Sequence, residues 1–229
     1  MGGHALDTIS PDRLERSKYL ILEQEVINKI KEIIDIWYVP RYFNDKGTFG
    51  DLDILYYSED KDIKKKIVEL LESKEQVMNA NVFSCEYNEF QVDFIKTYPK
   101  YIECYKCFLD YSSYGEILSK MFKKHELKYK HNGLYIKVYY NHDTSKLITE
   151  ICLAQDPKEV FEYIGLNYEQ FKNGFETKEE MFEYLINCKY FTKETFINDN
   201  LNQIQRKKEK VRPIYKAFIE YIKDKKICC

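Results

Sequence analysis

Asp51 and Asp53 stand two residues apart in Gly47-Thr48-Phe49-Gly50-Asp51-Leu52-Asp53-Ile54-Leu55. Leu52, Ile54 and Tyr56 alternate against Asp51, Asp53 and Leu55, which predicts a strand. The period of two puts both carboxylates on one face. Adjacent anions repel, and a sheet has no structural use for them there; a divalent cation removes the repulsion. The glycine-rich turn before the strand offers backbone N–H groups of the kind that cradle phosphate. Phe90 to Lys96 alternates too, with Phe90, Val92 and Phe94 on one side and Gln91, Asp93 and Ile95 on the other. It brings a third carboxylate, Asp93, onto a strand that can neighbour the first. Such a set points to metal-dependent phosphoryl or nucleotidyl transfer. Two divalent ions about 3.5–4 Å apart can hold the attacking and leaving oxygens of an in-line displacement, and Mg²⁺ favours carboxylates, waters and phosphate oxygens. Asp51 and Asp53 would bridge two Mg²⁺ (or Mn²⁺) ions. Asp93 would hold the ion that activates the attacking hydroxyl and help accept its proton.

The elements that must position these residues follow from periodicity. Leu14, Leu20, Ile21, Val26, Ile27, Ile30 and Ile34 recur at helical spacing, predicting a helix that opens at Ser10-Pro11, runs to about Ile36 and stops before Pro40. Arg41 to Gly50 is a polar turn region. A second helix is expected from Asp62 to Met78, carried by Ile63, Ile67, Leu70, Leu71 and Met78. Tyr111 to Lys124 predicts a turn and helix, and Leu134 to Tyr140 with Leu147 to Leu153 a hairpin around Asn141-His142-Asp143. Short helices are opened by Pro157, by the capping box Thr177-Lys178-Glu179-Glu180, and by Pro213. The order of elements indicates an α+β chain with a mixed sheet.

At 229 residues with 32% charged and 44% hydrophobic residues, the chain can bury a real core and reads as globular. It has no apolar run of bilayer length and no signal peptide, so a cytoplasmic or nuclear protein is expected, not secreted and with no membrane partner. The seven cysteines are scattered and odd in number, which fits free thiols better than a disulfide framework. Cys104-x-x-Cys107 lacks a second ligand pair, which argues against zinc. Cys228-Cys229 is weak ground for lipidation, and Met1-Gly2-Gly3 lacks the Ser/Thr of a myristoylation signal. The net charge of −2 argues against broad coating of nucleic acid. Local basic runs at Lys64-Lys65-Lys66, Lys120 to Lys130 and Arg206 to Arg212 read alone as solvated helix faces and gain meaning only beside an acidic metal site. His125, His131 and His142 lack the spacing of a metal site or triad, and Trp37 is expected to pack at the end of the first helix.

Asn44 to Leu55 resembles the nucleotidyltransferase fold, and specifically the palm of family X DNA polymerases, where G-S-F-R-R-G leads into G-D-x-D-h-L. Pro11 to Ile33 is similar to the helix before that motif, and Gln91-Val92-Asp93-Phe94-Ile95 to the family's R-I/V-D-h strand. Phe108-Leu109-Asp110-Tyr111-Ser112 resembles its Y-F-T-G-S turn, His131-Asn132-Gly133-Leu134 its hairpin, and Gln155 to Leu166 its S-E-x-D-I-F-x-x-L-G-L segment. The resemblance covers residues 10–172 in the family's order. It implies a palm over 1–108, a nucleotide-binding lobe over 109–173 and a helical extension over 174–229. It implies a monomer that takes a nucleoside triphosphate and a DNA primer/template or other nucleic acid, in gap filling or end extension. Nucleotide contacts would come from Arg41, Lys46, Gly47, Thr48, Gly50, Phe108, Asp110, Tyr111 and Ser112, and nucleic-acid contacts from Lys120, Lys123, Lys124 and Lys128.

Two departures qualify the resemblance. The family's G-S falls on Pro40-Arg41, so Arg41 or Lys46 would replace that triphosphate contact by charge. Asp110-Tyr111 replaces T-G in the turn that discriminates the sugar, which leaves deoxy versus ribo preference open. Two rival functions remain: a template-independent transferase acting on RNA, a protein or a small molecule, and a catalytically degenerate palm that binds nucleic acid or protein.

Overall fold

The computed structural model describes residues 5–7, 12–140, 143–196 and 212–225. The chain is mixed α+β and divides into two compact units. One is built from residues up to Arg41 together with Asp45–Ile102, the other from Tyr42–Asn44 and the chain from Glu103 on.

In the first unit β1 (Leu14–Glu15) leads directly into α1 (Arg16–Ile30), followed by β2 (Ile36–Tyr38), β3 (Thr48–Phe49) and β4 (Leu52–Tyr57). Then come α2 (Ile63–Leu71), β5 (Gln76–Asn79), β6 (Val82–Tyr87) and β7 (Phe90–Lys96). Five strands form one sheet in the order β2-β4-β7-β6-β5, in which β4 and β7 are parallel and the other neighbours antiparallel. Leu52, Ile54, Leu55 and Tyr56 are all fully buried, so β4 is covered on both faces, as a central strand of such a sheet must be. The short β1 pairs with β3, and Tyr19 of α1 stacks on Phe49 with ring centroids 3.7 Å apart.

Two predicted helices are shorter than their apolar spacing suggests. The first ends at Ile30, and Ile36-Trp37-Tyr38 forms β2 with Trp37 opposite Tyr56. Trp37 therefore sits on an edge strand rather than capping a helix; a β-branched and aromatic run finds a better place on the pleated edge. The second stops at Leu71, where Glu72 turns left-handed (φ 52°) and frees residues 76–79 to pair with β6. Val77 and Met78 mimic a continuing helical stripe, yet β5 is exposed along its whole length. The expected start at Ser10-Pro11 lies outside the described residues.

The second unit contains α3 (Ile102–Leu109), α4 (Tyr114–Phe122), an antiparallel sheet of β8 (Leu127–Lys130), β9 (Gly133–Tyr140) and β10 (Asp143–Ala154), and α5 (Pro157–Ile164). It closes with α6 (Tyr168–Asn173), α7 (Lys178–Ile186) and α8 (Pro213–Asp224). The hairpin of β9 and β10 is as predicted, with Asn141 and His142 outside the described residues; Lys128 and Lys130, read within a run of basic helix faces, lie instead on β8, which turns through residues 131–132 into β9. The predicted cap at Thr177 forms, its side chain accepting from Glu180 N; the helix opened by Pro157 is capped by Asp156, which accepts from Glu159 N and carried no sequence expectation. One buried cluster joins Phe43, Tyr114, Phe122, Phe161 and Phe171 to Phe182, Leu185, Phe218 and Ile222. Residues after 174 thus share the core of residues 109–173, and the boundary expected at 108 falls at Ile102. Gly115 is needed for the close approach of α3 and α4: a Cβ there would lie 2.7 Å from the Phe108 carbonyl oxygen. Among the described residues no helix is long and apolar enough to cross a membrane, and Cys85, Cys104, Cys107, Cys152 and Cys188 are free thiols.

Candidate metal centre of the first unit

The parallel pairing of β4 with β7 sets Asp53 opposite Asp93, and Asp51 lies just before β4. One carboxylate oxygen from each of Asp51, Asp53 and Asp93 lies within 4.8 Å of the other two, and all three residues are partly buried. Burial first, then the charges of Asp51 and Asp93, push the Asp53 carboxyl up to about 8, against an opposing pull from Lys46. Asp93 is also raised, by burial and by Asp51, while hydrogen bonds from Ser84 and Gln91 draw it back. The Lys46 ammonium is lowered by burial despite the attraction of Asp51 and Asp53; Arg13 and Arg16 add to that lowering. Three carboxylates with one ammonium among them leave a deficit of positive charge. An all-oxygen donor set of this kind fits a hard divalent cation, so the cluster can chelate a metal ion.

The turn before β4 is braced from the start of α1. Arg16 N–H donates to Gly47 O (2.8 Å) and the Arg16 guanidinium to Lys46 O (3.3 Å). Arg13 donates to Thr48 Oγ1 (2.9 Å) and to Thr48 O (2.8 Å). The Lys46 ammonium rests 4.1 Å from the centre of the Phe49 ring, a favourable cation–π placement. A Cβ built on Gly47 would meet no atom within 4 Å, so the space beside this backbone is open to a ligand.

Of the remaining residues expected at the site, Arg41 is half-buried in the first unit. Phe108 lies in the last turn of α3 of the second, and Asp110, Tyr111 and Ser112 form the α3–α4 turn. Asp110 is almost fully buried there, and the Tyr111 hydroxyl accepts from Phe175 N–H at 2.9 Å while its ring packs on Phe43 and Phe175. Tyr111 is therefore a core residue, and Ser112 is the exposed member of the turn. Both hold left-handed backbone, φ 56° and 57°, a strained pairing for residues that carry a Cβ. Lys123 and Lys124 are exposed and Lys120 is half-buried. Lys128 is ion-paired with Glu150 at 2.7 Å, and Lys130 holds the other Glu150 oxygen.

Four residues around the site carry no sequence expectation. Arg13 and Arg16 brace the turn, and Ser84 and Gln91 bond to Asp93. Gln91 is the one with a legible signal, since it shares the alternation face of Asp93. Elsewhere in the unit, a cavity of about 540 Å³ is lined by Lys29, Lys74, Glu86 and Glu89 among others and includes none of the three aspartates. No protein-family model matches the chain, and no curated protein matches it in sequence.

Proposed function

We propose that the protein is a divalent-metal-dependent nucleotidyltransferase that transfers a nucleotide from a nucleoside triphosphate to a DNA 3′-hydroxyl and releases pyrophosphate. The observation that carries this is the register that puts Asp53 beside Asp93, with Asp51 in the same 4.8 Å cluster, next to a braced glycine turn. Two bound Mg²⁺ or Mn²⁺ ions would supply charge neutralisation and polarise phosphate oxygens. Asp51 and Asp53 would hold both ions. Asp93, oriented by Gln91 and Ser84, would hold the ion on the acceptor side and take the proton of the hydroxyl on a carboxylate oxygen. Lys46 would meet the triphosphate by charge, and the open side of Gly47 lets phosphate approach the backbone. The chain's own contribution is positioning and preorganised charge. The DNA acceptor rests on the resemblance to family X polymerases.

The test is labelled NTPs and dNTPs with Mg²⁺ or Mn²⁺ against primed DNA, single-stranded DNA, tRNA and no acceptor. Primed DNA should be extended by the wild type and not by Asp53→Ala of unchanged fold. Full incorporation by that variant would sink the assignment. A second reading, transfer to an acceptor other than DNA, is favoured by one observation: Glu150 already occupies Lys128, one of the four lysines expected to meet nucleic acid. Labelling of tRNA or of the protein without DNA would establish it.

A further inference from the structure

We propose that Gln91 is a positioning residue that restricts Asp93 to one-oxygen coordination and so selects Mg²⁺ or Mn²⁺ over Ca²⁺; this rests on the three-aspartate metal site proposed above. Gln91 precedes Asp93 by two residues on β7, so both side chains leave the same face. The Gln91 amide nitrogen lies 2.9 Å from Asp93 Oδ1 and 3.0 Å from Oδ2. Nearly equal reach sets the NH₂ group across the fork between the two oxygens, the direction from which one cation would chelate both. The outward lone pair of each Asp93 oxygen stays free, and these diverge, so one cation can take one oxygen and not both. Ca²⁺ gathers six to eight oxygens and uses bidentate carboxylates to do so, whereas Mg²⁺ takes single oxygens in a tight octahedron.

The orientation of the amide is itself locked. Gln91 Oε1 accepts from the backbone N–H of Ala5 at 2.8 Å, a residue 86 positions away. A flipped amide would turn its oxygen onto the Asp93 carboxylate and its NH₂ onto the Ala5 N–H, two repulsive contacts in place of two bonds. Gln91 is only 2% exposed, so water cannot make up the loss. The segment that supplies the N–H is anchored in turn: Leu6 is buried, and Asp7 N–H donates to Glu75 Oε1 at 2.8 Å. A neutral amide orients the carboxylate without adding a positive charge to compete with the cation. The strand motif that this segment resembles has Arg at that place, and a guanidinium would bring such a charge.

The whole chain is titrated calorimetrically with MnCl₂ and, separately, with CaCl₂, without nucleotide. The wild type should prefer Mn²⁺. Gln91→Met should weaken Mn²⁺ about tenfold, the usual scale for loss of an outer partner of a metal ligand, and leave Ca²⁺ unchanged or tighter, so the preference collapses. Ala5→Pro deletes the N–H that locks the amide without altering Gln91 or Asp93 and should move the ratio the same way by a smaller factor, which keeps the test open if Gln91→Met does not fold. An equal loss for both cations, or an unchanged ratio in both variants, overturns the inference while Mn²⁺ binding that disappears in Asp53→Ala still supports the metal site. A wild type that binds neither cation overturns both.

Discussion

In the first unit a central strand carries an ionisable group: Asp53 sits on β4 between the fully buried Leu52 and Ile54. In the second unit the interior is a mesh of rings, with Tyr114, Phe161 and Phe171 in mutual contact at centroid distances of 4.8 to 6.3 Å. Both interiors are close-packed, and they put packing to different ends. In the second, apolar burial joins ring to ring across the helices. The first uses it to hold three carboxylates closer together than their charges would choose. Its stability should therefore depend on protons near neutral pH and on cations, whereas the proton dependence of the second unit should be smaller and confined to acid, where Glu150 is protonated.

The comparison is broken most strongly by emptying the aromatic core. Phe161→Ala should cost about 3–5 kcal/mol in denaturant unfolding while Mn²⁺ affinity of the folded protein stays as it was. A large change in affinity would mean that the ring mesh also shapes the metal centre. Gly115→Ala should cost about 1–3 kcal/mol by overpacking, because the new Cβ meets the Phe108 carbonyl; an unchanged melting temperature would show that α3 and α4 can simply part.

The first unit should respond to pH. The Asp53 carboxyl rises from 3.8 to about 8 on folding, so between those values the folded chain holds a proton that the unfolded chain has lost. Stability from this group is full below about pH 4 and falls as pH rises toward 8. Melting in EDTA across pH 5 to 8 should show that decline in the wild type, a flatter profile in Asp53→Asn, and recovery at pH 8 on adding Mn²⁺. Equal slopes for both proteins would remove Asp53 as the source of the strain.

The smallest effect is expected in the second unit's charged surface. Lys128 and Lys130 hold Glu150 down to about 2 from 4.5. This stabilisation is present above pH 4.5 and lost as pH falls toward 2, and as a largely solvent-screened contact it amounts to about 1 kcal/mol or less. Glu150→Gln should barely change melting at pH 7 and, if the acceptor is nucleic acid, should tighten DNA binding at low salt by releasing two lysines. Unchanged DNA affinity would separate that face from the acceptor.

Local rules set much of this in advance. The alternation of residues 51–56 and 90–96 determined that each aspartate shares a face with its neighbour two positions away, and Pro157 and the capping box at Thr177 marked two helix starts by chemistry confined to one turn. Ile36-Trp37-Tyr38 and residues 76–79 misled for the converse reason. Their apolar spacing extends a helical stripe, and only pairing with β4 and β6 makes them strands. Periodicity states which side a residue faces and says nothing about which strand lies alongside. That β7 lies next to β4, in parallel and in the register that joins Asp93 to Asp53, was decided by tertiary packing, where burial of Leu52, Ile54, Val92 and Phe94 outweighs the repulsion of the acids. The same holds for the amide of Gln91, whose direction is settled by an N–H 86 residues away.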